Sequence, residues 1–145
     1  MADHLHKQIR TAVAALLGGL ATTGTRVYPN RLHPMDDENL PGLRVFMDGE
    51  DVLDSYLDKT QERRLMLIVE CCAQQAAALD DELDKSSKEV EVALSGGISV
   101  GAHWMDAQYA GMQFEDDLAG KPVGVKRLRF FITFTAASNA PDVLV

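Results

Sequence analysis

Hydrophobic residues near the start of the chain recur every three or four positions. This spacing places them on one stripe of a helix: Leu5, Ile9, Val13, Leu16, Leu17 and Leu20. Asp3 stands where an N-cap residue is expected, and the glycines Gly18 and Gly19 loosen the last turn. The pattern therefore predicts an amphipathic helix from Asp3 to about Leu20.

A second helical stripe lies in the middle of the chain, between Gln74 and Leu94. It consists of Leu79, Leu83, Val90 and Leu94. On the opposite face, Asp81/Lys85 and Asp84/Lys88 are spaced as i, i+4 ion pairs. The pattern predicts a second amphipathic helix with a charged outer surface.

Alternation of apolar and polar residues predicts the strands. The stretch Arg63–Ala73 is apolar on both faces in its middle, so it needs cover on both sides, from its own domain or from a neighbouring subunit. Gly124–Ala136 alternates along its whole length. Shorter strands are expected at Thr25–Tyr28 and Leu43–Met47, and Tyr109–Glu115 is a further candidate.

The segments between these elements are polar, and three of them predict surface structure. Residues 29–41 contain three prolines and an acidic run, which suits an exposed connection. The stretch Asp48–Lys59 is strongly acidic and lacks strand alternation, so it predicts a second surface loop. Residues 138–145 are expected to form a flexible tail.

The order of elements predicts an α+β fold. We expect a mainly antiparallel sheet of four or five strands with two helices packed on one face. The 145 residues, 46% hydrophobic and 25% charged, suit one compact domain over residues 1–145.

Composition and charge limit the classes of function that the sequence favours. The net charge of −8 disfavours direct binding of nucleic-acid phosphates. No signal-peptide pattern and no long apolar run is visible, which predicts a protein that is made in the cytoplasm and does not enter a membrane. The two cysteines, Cys71 and Cys72, are adjacent and make a poor disulfide.

Candidate chemistry is scarce. His4 and His6 lie two residues apart in a helical turn and point in different directions. The acidic run from Asp48 lacks the glycine and glutamate offsets of a calcium loop, and Cys71-Cys72 lacks the spacing of a zinc or redox motif. We therefore expect no catalytic, cofactor-binding or metal-binding residues, and a protein that is not an enzyme. A small α+β enzyme is a less favoured alternative.

Three segments follow one another in a familiar order: Thr22–Arg31 after the first helix, Asn39–Phe46 after the loop, and Lys121–Phe134 near the end. Together they resemble the tail terminator proteins of long-tailed bacteriophages, of the minor tail protein U type. The likeness runs over most of the chain, and residues 96–120 depart from it.

This resemblance implies a structural role rather than catalysis. Such a protein forms a hexameric ring that caps the tail tube and ends its elongation, and it then presents a surface to the head. The implied partners are further copies of the chain, the tail tube protein and a head–tail connector protein. The implied locations are the host bacterial cytoplasm during assembly and then the virion tail. A head-to-tail joining protein is the alternative.

Two groups of residues are candidates for the contacts of such a ring. Arg26, Tyr28 and Arg31 form a basic and aromatic corner, a composition enriched at interfaces, although a rigid turn packed on its own core would need the same residues. A ring needs two different, complementary patches. The acidic residues Asp48, Glu50, Asp51 and Asp54 are candidates to meet Arg127 and Arg129 of a neighbour. Ordinary surface charge is the alternative.

Overall fold

The fold was analysed in a computed structural model that describes residues 2–74, 77–116 and 123–145. The helices are α1 (Leu5–Leu17) and α2 (Leu79–Leu94), and a short 3-10 turn covers Asp37–Asn39. The strands are β1 (Val27–Tyr28), β2 (Gly42–Ser55), β3 (Thr60–Gln74), β4 (Ile98–Val100), β5 (His103–Met105), β6 (Ala107–Asp116), β7 (Val123–Ala137) and β8 (Ala140–Leu144).

Six of the strands form one sheet in the order β1-β2-β3-β7-β6, with β8 also paired to β7. The β1–β2 pair is parallel and the other pairs are antiparallel, so the sheet is mixed. It curls into a half-barrel, and strands hold 51% of the residues. The predicted fold class was therefore wrong: the protein is mostly β, and its sheet is a mixed one of six strands that includes a parallel pair, instead of a mainly antiparallel one of four or five.

The missed strands explain this error. Asp48 to Ser55 was expected to be a loop, but it continues β2 and pairs with β3 as far as Ser55 opposite Gln61. This half of the hairpin extends past the core, and water reaches both of its faces. Its residues therefore need not alternate between apolar and polar. Two β-bulges in it disturb the pattern further. Residues 140–144, expected in a flexible tail, form β8.

One face of the sheet packs against both helices. Its inward residues on β3 and β7 form a single buried cluster with the apolar stripes of α1 and α2. The strand residues in it include Leu65, Leu67, Val69, Leu128, Phe130 and Ile132, and the helix residues include Leu5, Ile9, Val13, Leu83, Val90 and Leu94. Most residues of the two predicted helical stripes therefore face the core, but Leu16, which was placed on the first stripe, is 42% exposed.

The opposite face of the sheet is covered in part by the connection between β1 and β2. Met35 in this connection is buried and clusters with Cys72, Val123 and Val125. The connection therefore contributes to a core, although its composition suggested an exposed loop. Cover for the second face of β3 comes here from the protein's own domain.

Details at the helix ends also differ from expectation. His4, not Asp3, is the N-cap of α1, and its ring nitrogen accepts a hydrogen bond from the His6 backbone N–H. Asp84 of α2 pairs with Lys126 of β7 at 3.0 Å rather than with Lys88. Helix α2 is thereby tied to the sheet by charge as well as by its apolar stripe.

Candidate assembly surfaces

A row of charged residues crosses the sheet on the face away from the helices. Strand register places Glu70 of β3 between Arg44 of β2 and Arg127 of β7. The Glu70 carboxylate lies 2.9 Å from Arg127 Nη2, and Arg127 Nη2 lies 3.0 Å from Glu115 on β6. Arg44 Nε is 3.0 Å from Glu70 Oε1, an ion pair without hydrogen-bond geometry. The row thus spans four strands.

Burial makes this row a tightly held structure. The Glu70 side chain is 4% exposed, so its charge is stabilised by the arginines rather than by water. For Arg127, burial opposes the charged form, but the hydrogen bond to Glu70 and the charge of Glu70 outweigh it and raise the pKa. Arg127 therefore stays charged, and it is engaged within its own chain.

Other arginines lie flat on the same face. The Arg64 guanidinium stacks over the ring of Phe131 at 4.5 Å, and Arg31 lies over Phe46 at 5.2 Å. Arg129 lies against Gly111, where any side chain would meet its guanidinium. An acidic protein thus presents one sheet face that is rich in arginine.

The basic and aromatic corner is built around the connection after β1. Arg26 donates hydrogen bonds to the carbonyls of Pro41 and Thr22, at 2.7 and 3.1 Å. Tyr28 stacks on His33 with ring centroids 3.7 Å apart, and its hydroxyl donates to Asn39. Arg31 donates to the Met47 carbonyl and remains exposed. Arg26 and Tyr28 therefore hold the connection in place, and Arg31 faces solvent.

The four acidic candidates also include both a residue engaged within its own chain and residues that face solvent. Glu50 points back toward α1, where its carboxylate lies 2.6 Å from His6 Nε2 and 3.7 Å from Arg63. Asp51 is exposed and 3.4 Å from Arg64. Asp48 and Asp54 are exposed on the β2–β3 hairpin. The structure gives Glu50 partners in its own chain and leaves the three aspartates at the surface.

The far end of this hairpin carries residues that the acidic composition had hidden. Residues 52–59, called the arm tip below, expose four apolar side chains: Val52, Leu53, Tyr56 and Leu57. Asp54 beside Tyr56 raises the pKa of its phenol through its charge, and the backbone N–H of Thr60 lowers the pKa of Asp58. Four apolar residues within an otherwise acidic run were the feature of the sequence that could have indicated this exposed apolar surface.

The described residues show no constellation for metal chemistry. Nowhere in residues 2–74, 77–116 and 123–145 do three metal-ligating side chains of the His, Cys, Asp and Glu types come together. The thiols of Cys71 and Cys72 are buried, and burial raises the pKa of the Cys71 thiol. Among the helices described, none is long and apolar enough to cross a membrane.

These surfaces define the class of protein. An arginine-rich sheet face and a projecting arm with an apolar end are features of a protein that acts through contacts with other proteins. The chain belongs to the phage minor tail protein U family, whose model matches residues 4–134. It is therefore a structural protein of a phage tail.

A solved structure shares the fold. A chain in the virion of a native gene transfer agent particle superposes with a TM-score of 0.55 at 18% sequence identity, over 92% of each chain. At this identity the likeness shows the fold alone. Comparison with curated proteins found no match. Of the segment that departed from the resemblance, 96–120, the structure describes residues up to 116, and residues 117–120 lie outside the described part.

Proposed function

We propose that this protein is the tail terminator, which forms a homo-oligomeric ring, a hexamer, on the end of the finished tail tube. The ring stops the addition of tube protein and offers a surface to the head–tail connector. The protein performs no catalysis, and it acts first in the host cytoplasm and then in the virion tail. The observation that carries this proposal is the family match, which extends over 131 of the 145 residues (4–134).

The surfaces of one subunit support a ring. A closed ring repeats one heterologous contact between two different patches. The exposed acidic residues Asp48, Asp51 and Asp54 lie on the projecting hairpin, and Arg31 and Arg129 lie on the arginine-rich face. Charges of opposite sign on separate elements fix the orientation of neighbours.

We assign different roles to the remaining candidates at this interface. Arg26 and Tyr28 hold the corner that presents Arg31. Glu50 fixes the base of the hairpin through His6. Arg127 is held by Glu70 and Glu115, so it contributes the shape of the face more than a free charge.

Tube length is the direct test. Tail tube protein from the same phage would be polymerised in vitro with increasing amounts of this protein, and tube lengths would be measured by negative-stain electron microscopy. The terminator is expected to shorten the tubes in proportion to its amount and to add a ring at one end. Light scattering after gel filtration would give the mass of the isolated protein.

Two outcomes would contradict the proposal. Unchanged tube lengths together with direct binding to purified connector protein would assign the chain as a joining protein instead. Shortened tubes with this protein spread along their walls would show nonspecific interference. A folded variant with Arg31→Glu and Arg129→Glu serves as the matched control and is expected to lose capping.

A further inference from the structure

The arm tip projects past the core and ends in a hydrogen-bonded turn. The Tyr56 backbone N–H donates to Thr60 at 2.9 Å and the Lys59 N–H donates to Tyr56 at 3.0 Å, closing a turn in which Lys59 has a φ of 69°. The Ser138 N–H donates to the Lys59 carbonyl at 2.8 Å, which joins the turn to the end of β7. The Leu57 side chain is nevertheless fully exposed. A preorganised apolar end of this kind suits insertion into a partner.

A second surface of the same chain has the complementary form. An open, mainly apolar groove of about 470 Å³, called the α2 groove below, runs along the outer side of α2 and is lined by Leu20, Lys85, Lys88, Glu89, Val92 and Ala93. Val92 is 65% exposed. This volume is in the range of pockets that take up a ligand.

Charge favours the arm tip as the occupant of this groove. Within the part of the chain that the structure describes, neither Lys85 nor Lys88 forms an ion pair. The Glu89 carboxylate accepts hydrogen bonds from the backbone N–H and the hydroxyl of Thr22, at 2.8 and 2.6 Å. The groove therefore offers an apolar floor and two unpaired lysines. The tip carries Asp54 and Asp58 around its apolar residues, against one lysine, Lys59.

We propose that the arm tip of one subunit docks into the α2 groove of the next copy of this chain, with Leu57 and Tyr56 on the apolar floor and Asp54 and Asp58 near Lys85 and Lys88. The contact is heterologous, because tip and groove are different surfaces, so repeating it either closes a ring or extends a chain. This inference rests on the proposed ring and adds a contact to it. Asp54 at the tip then faces α2, which leaves Asp48 and Asp51, nearer the base of the hairpin, to face the arginine-rich surface.

Complementary point variants test the contact in full-length protein. Leu57→Asp disables the tip and Val92→Asp disables the groove, and both positions are exposed, so folding is expected to be retained. Each variant alone should raise the concentration for half-assembly by at least about tenfold. Leu32→Asp, at an exposed apolar residue outside both surfaces, is the control and should assemble like the wild type.

Mixing the two variants gives the sharpest result. One subunit then retains an intact groove and the other an intact tip, so a single tip–groove contact can form and nothing can extend it. At the protein concentration where the wild type is half-assembled, light scattering should report monomers for each variant alone and a heterodimer, but no ring, for the mixture. Rings at that concentration from either single variant, or from the mixture, would overturn the proposal.

Cross-linking locates the contact independently. Leu57→Cys and Val92→Cys in one chain, treated with a short bis-maleimide, should give a ladder of covalent oligomers, whereas each single substitution should not. The natural cysteines, Cys71 and Cys72, are buried and do not compete. The reaction would also be run with tail tubes present, in case a tube end is needed to start assembly.

The results separate this inference from the proposed function. Tubes that are capped normally by the protein carrying both Leu57→Cys and Val92→Cys, without any cross-link between positions 57 and 92, would overturn the docking contact and leave the terminator function intact. Cross-links from Leu57→Cys to the tube protein instead would assign the tip to the tube. Absence of capping would overturn the proposed function itself.

Discussion

Glu70 lies at the centre of β3 with two arginines around it and almost no access to water. A buried charge costs free energy unless it is paired, so the three residues depend on one another. The sequence did not predict that Glu70 is buried, because a charged residue in a strand is ordinarily expected to face solvent. Its partner Arg127 is 57 residues away in the chain, and only the register of β3 with β7 brings them together.

Replacing Glu70 with glutamine should destabilise the fold by about 3 kcal/mol, because Arg44 would lose its carboxylate while remaining largely buried. Urea unfolding followed by circular dichroism would measure the change. Glu115→Gln is the matched control, since that side chain is 36% exposed and its loss should cost less than about 1 kcal/mol. Equal losses for the two variants would show that burial of the Glu70 charge is not what matters.

Trp104 offers a second test at residue scale. Its indole N–H donates to the Gly96 carbonyl at 2.8 Å, and a Cβ added at Gly97 would lie 2.5 Å from the indole ring. Gly97 also has a φ of 77°, a conformation that costs other residues about 1–2 kcal/mol. Gly97→Ala should therefore displace the ring and lower stability by at least that amount.

Fluorescence can follow this displacement, because Trp104 is the single tryptophan in the chain. The emission of Gly97→Ala is expected to change, because the ring, which is 63% exposed, loses its contact with the backbone at Gly97. Gly96→Ala is the control, since an added Cβ there meets nothing within 4 Å. An unchanged spectrum in Gly97→Ala would mean that the β4–β5 hairpin adjusts freely around the substitution.

Elements with extensive apolar burial could be predicted from the sequence. Helices α1 and α2 and the central strands β3 and β7 each bury a periodic stripe, and that stripe is visible in the chain. The outer half of β2 and the short strands β4 and β5 bury little, so they leave no such pattern. The predicted fold class was wrong because only the buried strands had been counted.

The candidate site divides along the same line. The sequence marks Arg31, Asp48, Asp51 and Asp54 as charged, and the structure exposes all four. Their place in a contact between subunits stays a prediction. The α2 groove was not found, since it combines Leu20 with a helix that begins about 60 residues later. Contacts between elements depend on packing, which periodicity does not report.

Hydrogen exchange should reflect this division among the elements. Amides of β3 and β7 are flanked by paired strands and are expected to exchange most slowly, whereas amides of residues 52–59 should exchange fast in the unassembled subunit. Mass spectrometry of peptides from the monomer and the assembled ring would measure both. Assembly should slow exchange in the arm tip and along α2; protection confined to β6 would place the subunit contact at that edge strand instead.

Charge at the scale of the whole molecule opposes assembly. Each subunit carries a net charge of −8, so bringing copies together accumulates negative charge. Salt screens this repulsion over a Debye length of about 10 Å at 0.1 M, whereas charges in direct contact at a partly buried interface are screened much less. Added salt also does not weaken the free energy gained by burying apolar side chains such as Leu57.

The ring should therefore assemble at lower protein concentration when salt is raised from about 0.02 to 0.15 M, over which the Debye length falls steeply. Light scattering across a concentration series at each salt level would measure the shift. Asp106→Asn with Glu38→Gln removes two exposed negative charges, changing the net charge from −8 to −6, and should reduce the salt effect without touching the arm tip or the α2 groove. Weaker assembly at higher salt would mean that ion pairs across the interface, rather than apolar contacts of the arm tip, dominate the association of subunits.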